Sequence, residues 1–300
     1  MAALCRSYLF APGANERLLG KVLTAGADAV VLDLEDAVAP ELKLEARQRI
    51  KVLLRTLPVI PLPRVFVRIN GVTTSEWRQD IQAIAHPSVY GIRVAKAESA
   101  EQLRLVSDAL EEAEREAEMP VGSLRVVPTI ESAVGLFAAP EMARQPRVEA
   151  FSFGAADFCH DIGAEPDEME TQTFVARSQL VLISRAAGLQ PPIASVYRHL
   201  KDDEGLRATT EAARRLGFFG RSCIHPTQLR VIHDVFTPSA AQIAAVRATL
   251  AAFAKAGEQG TAALALASGE FVDRPIIERA RAIVALAEAL EKQALQRRIR

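Results

Sequence analysis

Short apolar, β-rich runs alternate along this chain with longer segments in which apolar positions recur every three to four residues. The first pattern marks buried strands and the second amphipathic helices. Eight strand-like runs are predicted: Ser7–Phe10, Ala29–Leu34, Val65–Ile69, Gly91–Val94, Arg125–Thr129, Ala150–Gly154, Pro192–Ser195 and Ser222–His225. Between them, Glu41–Leu54, Glu101–Glu116, Phe174–Ala187 and Leu206–Leu216 carry the helical period. Strands alternating with helices imply right-handed crossovers and a parallel sheet. Eight such units within about 235 residues match a closed (β/α)8 TIM barrel in count and length. An open doubly wound sheet is the rival, but no Gly-x-Gly-x-x-Gly follows the first strand to support it.

Beyond Pro238 the pattern changes, so the expected organisation is a barrel over residues 1–237 and a C-terminal helical arm with a lid loop over 238–300. Ser239 is placed to cap a helix running to Lys255, a loop with Gly257, Gly260 and Gly269 follows, and Pro275 suits the first turn of a second helix to about Gln296. Ile276, Ala280, Ile283, Val284, Ala287 and Leu290 give that helix one apolar face. The face packs either on its own barrel or on a neighbouring subunit.

The 300 residues are 49% hydrophobic and 24% charged, as in a soluble globular protein, and the net charge of −1 offers no attraction for nucleic acid or an anionic membrane. An anionic substrate must then be held by local basic residues. Cys5, Cys159 and Cys223 are too scattered for a disulfide framework or zinc cluster. With no apolar signal segment at the start and no long apolar span, a cytoplasmic location is expected.

Active sites of such barrels lie at the C-terminal ends of the strands. Those ends carry Glu35 and Asp36, Arg68 and Asn70, Lys96 and Glu98, Glu131, Asp157, Ser195 and Tyr197, and His225. Glu131 and Asp157 each follow a buried run, and two carboxylates from neighbouring strand ends are what a magnesium ion takes from protein, leaving its other positions to water and substrate. Arg68 sits inside Val65-Phe-Val-Arg-Ile, where burial demands carboxylate partners or a ligand, and it is expected to face the substrate. Glu35 and Asp36 are either solvated turn residues or site acids; a Glu35 pointing into the mouth would pair with Arg68 or orient a metal-bound water. Lys96 is a formal Schiff-base candidate, but Glu98 nearby favours an ion-paired lysine that is either structural or substrate-facing. His160 and His225 are expected to be hydrogen-bonded structural residues.

Six stretches carry a resemblance: Arg6-Ser-Tyr-Leu-Phe-Ala-Pro-Gly13, Gly26 to Val38, Val67-Arg-Ile-Asn70, Thr129-Ile-Glu-Ser-Ala-Val-Gly135, Phe153-Gly-Ala-Ala-Asp-Phe158 and Gly217 to Pro226. In order and nearly end to end, the chain resembles the citrate lyase beta-chain family of the HpcH/HpaI aldolase superfamily. The resemblance implies a magnesium-dependent barrel, a homotrimer or larger, that cleaves malyl-, citramalyl- or citryl-type thioesters. It implies Glu131 and Asp157 as metal ligands and Arg68 at the thioester or enolate oxygen. It further implies that Gly269-Glu-Phe-Val-Asp-Arg-Pro275 is a loop brought by a neighbouring subunit, with Asp273 as general acid/base. Arg6, Asn15 and Lys21 are candidates for holding coenzyme A. Two departures are Ala95, where the family often has proline, and Ala194, where it often has aspartate; the second bears on substrate identity. The expected reaction is retro-Claisen cleavage of a 3-hydroxyacyl-CoA. The rivals are aldol cleavage of free 4-hydroxy-2-keto acids, work on a carrier-protein thioester inside a citrate lyase complex, and a silent scaffold.

Overall fold

The strand–helix alternation is present in a computed structural model, which describes residues 5–59, 63–167, 169–258, 264–265 and 271–299. Two compact units are distinguished, Leu4–His233 and a second containing Asp234–Arg300. The strands of the larger unit are β1 (Ser7–Pro12), β2 (Ala29–Asp33), β3 (Arg64–Ile69), β4 (Val89–Val94), β5 (Arg125–Ile130), β6 (Ser152–Phe153) and β7 (Arg221–Cys223). The helices following them are α1 (Glu16–Val22), α2 (Lys43–Arg55), α3 (Trp77–Ile84), α4 (Ala100–Glu116), α5 (Ala133–Met142), α6 (Ala155–Asp161), α7 (Phe174–Ala186), α8 (Asp203–Leu216) and α9 (Gln228–Phe236).

All seven strands pair in parallel in the order β6-β5-β4-β3-β2-β1-β7. The expectation of eight strands is corrected at Pro192–Ser195, which forms no strand but only single bridges, Ile193 to Ser152 and Ala194 to Arg221. Pro191 and Pro192 have no N–H to extend a ladder. The bridges still bring the segment between the two sheet edges, so the sheet is curled.

Alternation along the strands sorts the core. Tyr8, Ala29, Val31, Phe66, Val127 and Ile193 form a buried cluster on one face, with Tyr8 and Phe66 edge to face at 5.7 Å. Val30, Leu32, Val65, Val67 and Ile92, at intervening positions, are buried as well. Helix ends follow local chemistry: Ser99 caps α4 by accepting from Gln102 N, Ser132 caps α5 through Gly135 N, and Asp202 caps α8 through Gly205 N. Gly217 ends α8 at φ 113°, a left-handed position that favours glycine.

The second unit contains α10 (Ala240–Glu258), a two-stranded antiparallel pair, β8 (Leu264–Ala265) and β9 (Phe271–Val272), and α11 (Arg274–Ile299). Ser239 accepts from Gln242 N at 3.1 Å, as its capping position predicts. Helices α10 and α11 pack together, and the buried stripe of α11 is Ile277, Ala280, Ala287 and Leu290, with Ile277 in place of the expected Ile276. Gly260, Gly269 and most of the expected lid loop lie outside the described residues. Among the described residues no helix is long and apolar enough to cross a membrane.

Candidate active site

Register places Asp33, Arg68 and Arg93 side by side on β2, β3 and β4. Arg68 donates from Nε to Asp33 Oδ1 at 2.7 Å and from Nη2 to Asp33 Oδ2 at 2.6 Å, a two-pronged grip. Its Nη1 lies 3.0 Å from Glu35 Oε2, and the guanidinium sits 5.2 Å from the Phe10 ring centre. Burial alone would lower the Arg68 pKa, but the bonds to Asp33 and the charge of Glu35 outweigh it and hold the group above the ordinary arginine range. Arg68 is thus a fixed, permanent cation.

Glu35 is buried, and burial raises its pKa against the pull of Arg68 and Lys96. Lys96 Nζ meets Glu35 Oε1 at 2.6 Å and both Asp36 oxygens at 3.2 Å. These bonds overcome the effect of burial and raise the Lys96 pKa, so the amine stays protonated and is unsuited to an imine. Asp36 is held below its ordinary value, because its bonds with Glu35 and Lys96 outweigh burial. The partner expected for Lys96, Glu98, is elsewhere: it accepts from Ser132 Oγ at 2.7 Å. Lys96 also adopts a left-handed conformation, φ 50°, while its backbone N–H donates to Glu131 Oε2 at 2.8 Å. A non-glycine residue in that region is costly, and the bonds of Lys96 to Glu131, Glu35 and Asp36 hold it there.

Glu131 follows β5 and is 8% exposed. Burial, with the nearby charges of Glu35 and Asp157, pushes its pKa up to about 7. Gly154 makes room for it: a Cβ there would stand 2.4 Å from Glu131 Cγ and 2.6 Å from Oε1. Asp157 stands exposed in the first turn of α6, three residues on. Glu131, Asp157 and Arg68 line one cavity of about 170 Å³.

Among the described residues no cluster of three or more His, Cys, Asp or Glu suits a metal. The donor set instead fits a hard divalent ion that takes two carboxylates and fills its shell with water and ligand oxygens. Asp33, Glu35, Asp36, Glu131 and Asp157 outnumber Arg68, Arg93 and Lys96 around the cavity and its mouth. That acidic excess, and the raised pKa of Glu131, are what a bound cation relieves.

Asn70 is buried and structural, donating to Leu34 O and Asp80 and accepting from Lys43 Nζ. Lys43 also binds the carbonyls of Leu34 and Glu35, so this network fixes the Glu35 turn. Ser195 ties the bridged segment to β6 and α6, donating to Phe153 O and accepting from Ala155 N. Tyr197 bonds Asp202, and His225 Nδ1 lies 2.8 Å from Thr227 Oγ1.

Three substrate candidates are not brought to the cavity. Arg6 is at the start of β1, at the opposite rim, where it grips Asp28 through Nε and Nη2. Asn15 caps α1 by accepting from Leu18 N, and Lys21 is exposed in the last turn of that helix. Asp273 belongs to the smaller unit, where it caps α11. Two residues that sequence reasoning passed over are central: Asp33, which orients Arg68, and Arg93, which lines the cavity. The signal for Arg93 is the one that exposed Arg68, an arginine inside an apolar strand.

The sequence pattern of the HpcH/HpaI aldolase/citrate lyase family matches residues 6–226. The chain is 35% identical to a (3S)-malyl-CoA thioesterase of Cereibacter sphaeroides (strain ATCC 17025 / ATH 2.4.3), over 95% of each chain. It is 32% identical to the citrate lyase subunit beta of Leuconostoc mesenteroides subsp. cremoris, over 95% of this chain and 94% of that one. It superposes on the crystal structure of CitE from Mycobacterium tuberculosis, in complex with magnesium, acetoacetate and coenzyme A, with TM-score 0.78 and 28% identity over 96% of this chain and 99% of that one.

Proposed function

The chain belongs to the HpcH/HpaI aldolase/citrate lyase family, and from that premise we propose that it is a magnesium-dependent carbon–carbon lyase acting on a 3-hydroxyacyl-CoA thioester. The substrate also carries a carboxylate, as malyl-, citramalyl- and citryl-CoA do, and the products are an acyl-CoA and a keto acid. The observation that supports this most is the permanent cation of Arg68 beside the Glu131–Asp157 pair in one cavity. The accompanying fold reading is a (β/α)8 barrel whose seventh stave is the bridged segment at Ile193 and Ala194. Cys159 and Cys223 are buried and form no disulfide, in keeping with the cytoplasm.

Glu131 and Asp157 would hold the magnesium, which when bound supplies Lewis-acid polarisation of substrate hydroxyl and carboxylate oxygens. Transfer of the substrate hydroxyl proton to the Asp273 carboxylate lets the C3 oxygen become the keto-acid carbonyl as the bond between C2 and C3 breaks, its electron pair leaving as a thioester enolate. Arg68, locked by Asp33 and Glu35, faces the charge that develops on the enolate oxygen. Glu35 positions Arg68 and Lys96, because both its oxygens are engaged. Lys96 stays cationic at the rim and assists in holding the acid. Asp273, brought by a neighbouring subunit of a homotrimer or larger assembly, protonates the enolate carbon.

The purified full chain, given magnesium and each of the three thioesters, should release equal amounts of keto acid and acetyl-CoA from at least one. Free coenzyme A with the intact hydroxy acid would assign thioester hydrolysis instead, the activity named for the Cereibacter relative. Turnover of free 4-hydroxy-2-keto acids alone would overturn the thioester assignment.

A further inference from the structure

The floor of the cavity holds a cation that the mechanism above does not use. Arg93 is 2% exposed, with its guanidinium 4.7 Å from the Tyr8 ring centre and 5.3 Å from that of Phe10. Nη1 donates to Ser152 Oγ at 3.2 Å and to Ser222 Oγ at 2.9 Å. Among the described residues Nε and Nη2 have no hydrogen-bond partner, and neither has Thr129 Oγ1. In Arg68 the same Nε–Nη2 edge grips a carboxylate; in Arg93 none meets it. Burial pushes the Arg93 pKa down to about 10, still leaving it charged at neutral pH.

A buried guanidinium without a counter-ion is costly, and the remedy is an anion. Ser152 and Ser222 accept from Arg93, so each keeps its own O–H proton to donate. Thr129 adds a third hydroxyl, and all four side chains line the cavity that Glu131 and Asp157 line. At about 170 Å³ the space suits a small acid, not coenzyme A.

We propose that Arg93, acting with Thr129, Ser152 and Ser222, forms a carboxylate subsite that selects keto-acid portions bearing a second, distal carboxylate. This rests on the lyase reading and narrows it: citryl-CoA releases a 2-oxo dicarboxylate, whereas malyl- and citramalyl-CoA release monocarboxylates. The hydroxyls donate to the distal carboxylate and Arg93 supplies the charge behind them.

Isothermal titration of the full chain with saturating magnesium compares oxaloacetate with pyruvate. Oxaloacetate should bind at least tenfold tighter. Arg93→Met should level the two while leaving pyruvate affinity within twofold, and Arg93→Lys should restore part of the preference. In the thioester assay Arg93→Met should raise KM for citryl-CoA and spare kcat. Equal binding of the two acids by the unaltered protein overturns the subsite whether or not the variants fold, as does a preference that survives in Arg93→Met. Cleavage of citramalyl- or malyl-CoA with kcat/KM at or above that for citryl-CoA also overturns it and leaves the lyase reading standing. A strong preference for oxaloacetate without cleavage of any thioester supports the subsite and overturns the lyase reading.

Discussion

Arg68 and Asp33 meet edge to edge across neighbouring strands, with Nε to Oδ1 at 2.7 Å and Nη2 to Oδ2 at 2.6 Å. Asp33 is 1% exposed, so the pair is shielded from water and the guanidinium plane is fixed before substrate arrives. Asp33→Asn keeps one acceptor and removes the charge that locks Arg68. A misplaced catalytic group costs about a hundredfold in rate, so kcat should fall by roughly ten- to a hundredfold while magnesium affinity stays the same. Steady-state kinetics beside a magnesium titration read the two separately.

Gly154 is where backbone meets Glu131, one of the two proposed magnesium ligands. A Cβ at that position would overlap Glu131 Cγ at 2.4 Å, so the carboxylate must shift from the position in which it accepts from Lys96 N. Gly154→Ala should therefore weaken magnesium binding by about tenfold or more, each factor of ten being about 1.4 kcal/mol. Gly20→Ala is the control, since the added methyl meets nothing within 4 Å beyond its chain neighbours and the backbone of its own helix. Magnesium-dependent thermal shift distinguishes them: the first variant loses the shift and the second keeps it.

Arg68, Glu131 and Asp157 were legible because each breaks a local pattern: a charge inside an apolar strand, or an acid just past one. The partners were not legible, because they depend on register. Lys96 stands two residues from Glu98, yet its amine reaches Glu35 and Asp36, which arrive from β2. Asp33 ends its apolar run among further acids, and only strand pairing sets it directly beside Arg68. Arg6, a candidate for holding coenzyme A, precedes β1 and so lies at the other rim, bound to Asp28. The run at Pro192–Ser195 has strand-like residues, but its prolines leave too few donors for a ladder, which composition weighs poorly.

Glu114 of α4 anchors the turn into β5 far from the cavity. Its oxygens accept from Arg147 Nη1 and Nη2, both at 2.8 Å, and from the backbone of Gly122 and Leu124. Those bonds outweigh burial and hold its pKa below the ordinary glutamate value of 4.5. A depressed acid stabilises the fold above its unfolded pKa, and that stability is lost as pH falls through the folded pKa. Glu114→Gln should destabilise the protein by roughly 3 kcal/mol near pH 7, because it leaves Arg147 buried without its charge partner. The difference from the unaltered protein should shrink as pH drops below 4.5. Urea denaturation at pH 7 and pH 4 measures both.

Asp273 carries two separable roles in these readings. Its Oδ1 accepts from Ile276 N at 3.4 Å, a long capping bond at the start of α11. Its proposed role as general acid needs an ionisable carboxyl, whereas the cap needs only a side-chain oxygen. Asp273→Ser should therefore hold stability within about 0.5 kcal/mol while turnover falls by about a hundredfold or more. Asp273→Ala should lose as much turnover and about 1 kcal/mol of stability besides. Magnesium affinity should be unchanged in both, since Glu131 and Asp157 are untouched. Mixing Asp273→Ser chains with Arg68→Ala chains tests the source of the acid: a carboxyl supplied by a neighbouring subunit restores activity at mixed sites, and one supplied by the same chain restores none. Full activity in Asp273→Ser alone would reduce this residue to its cap.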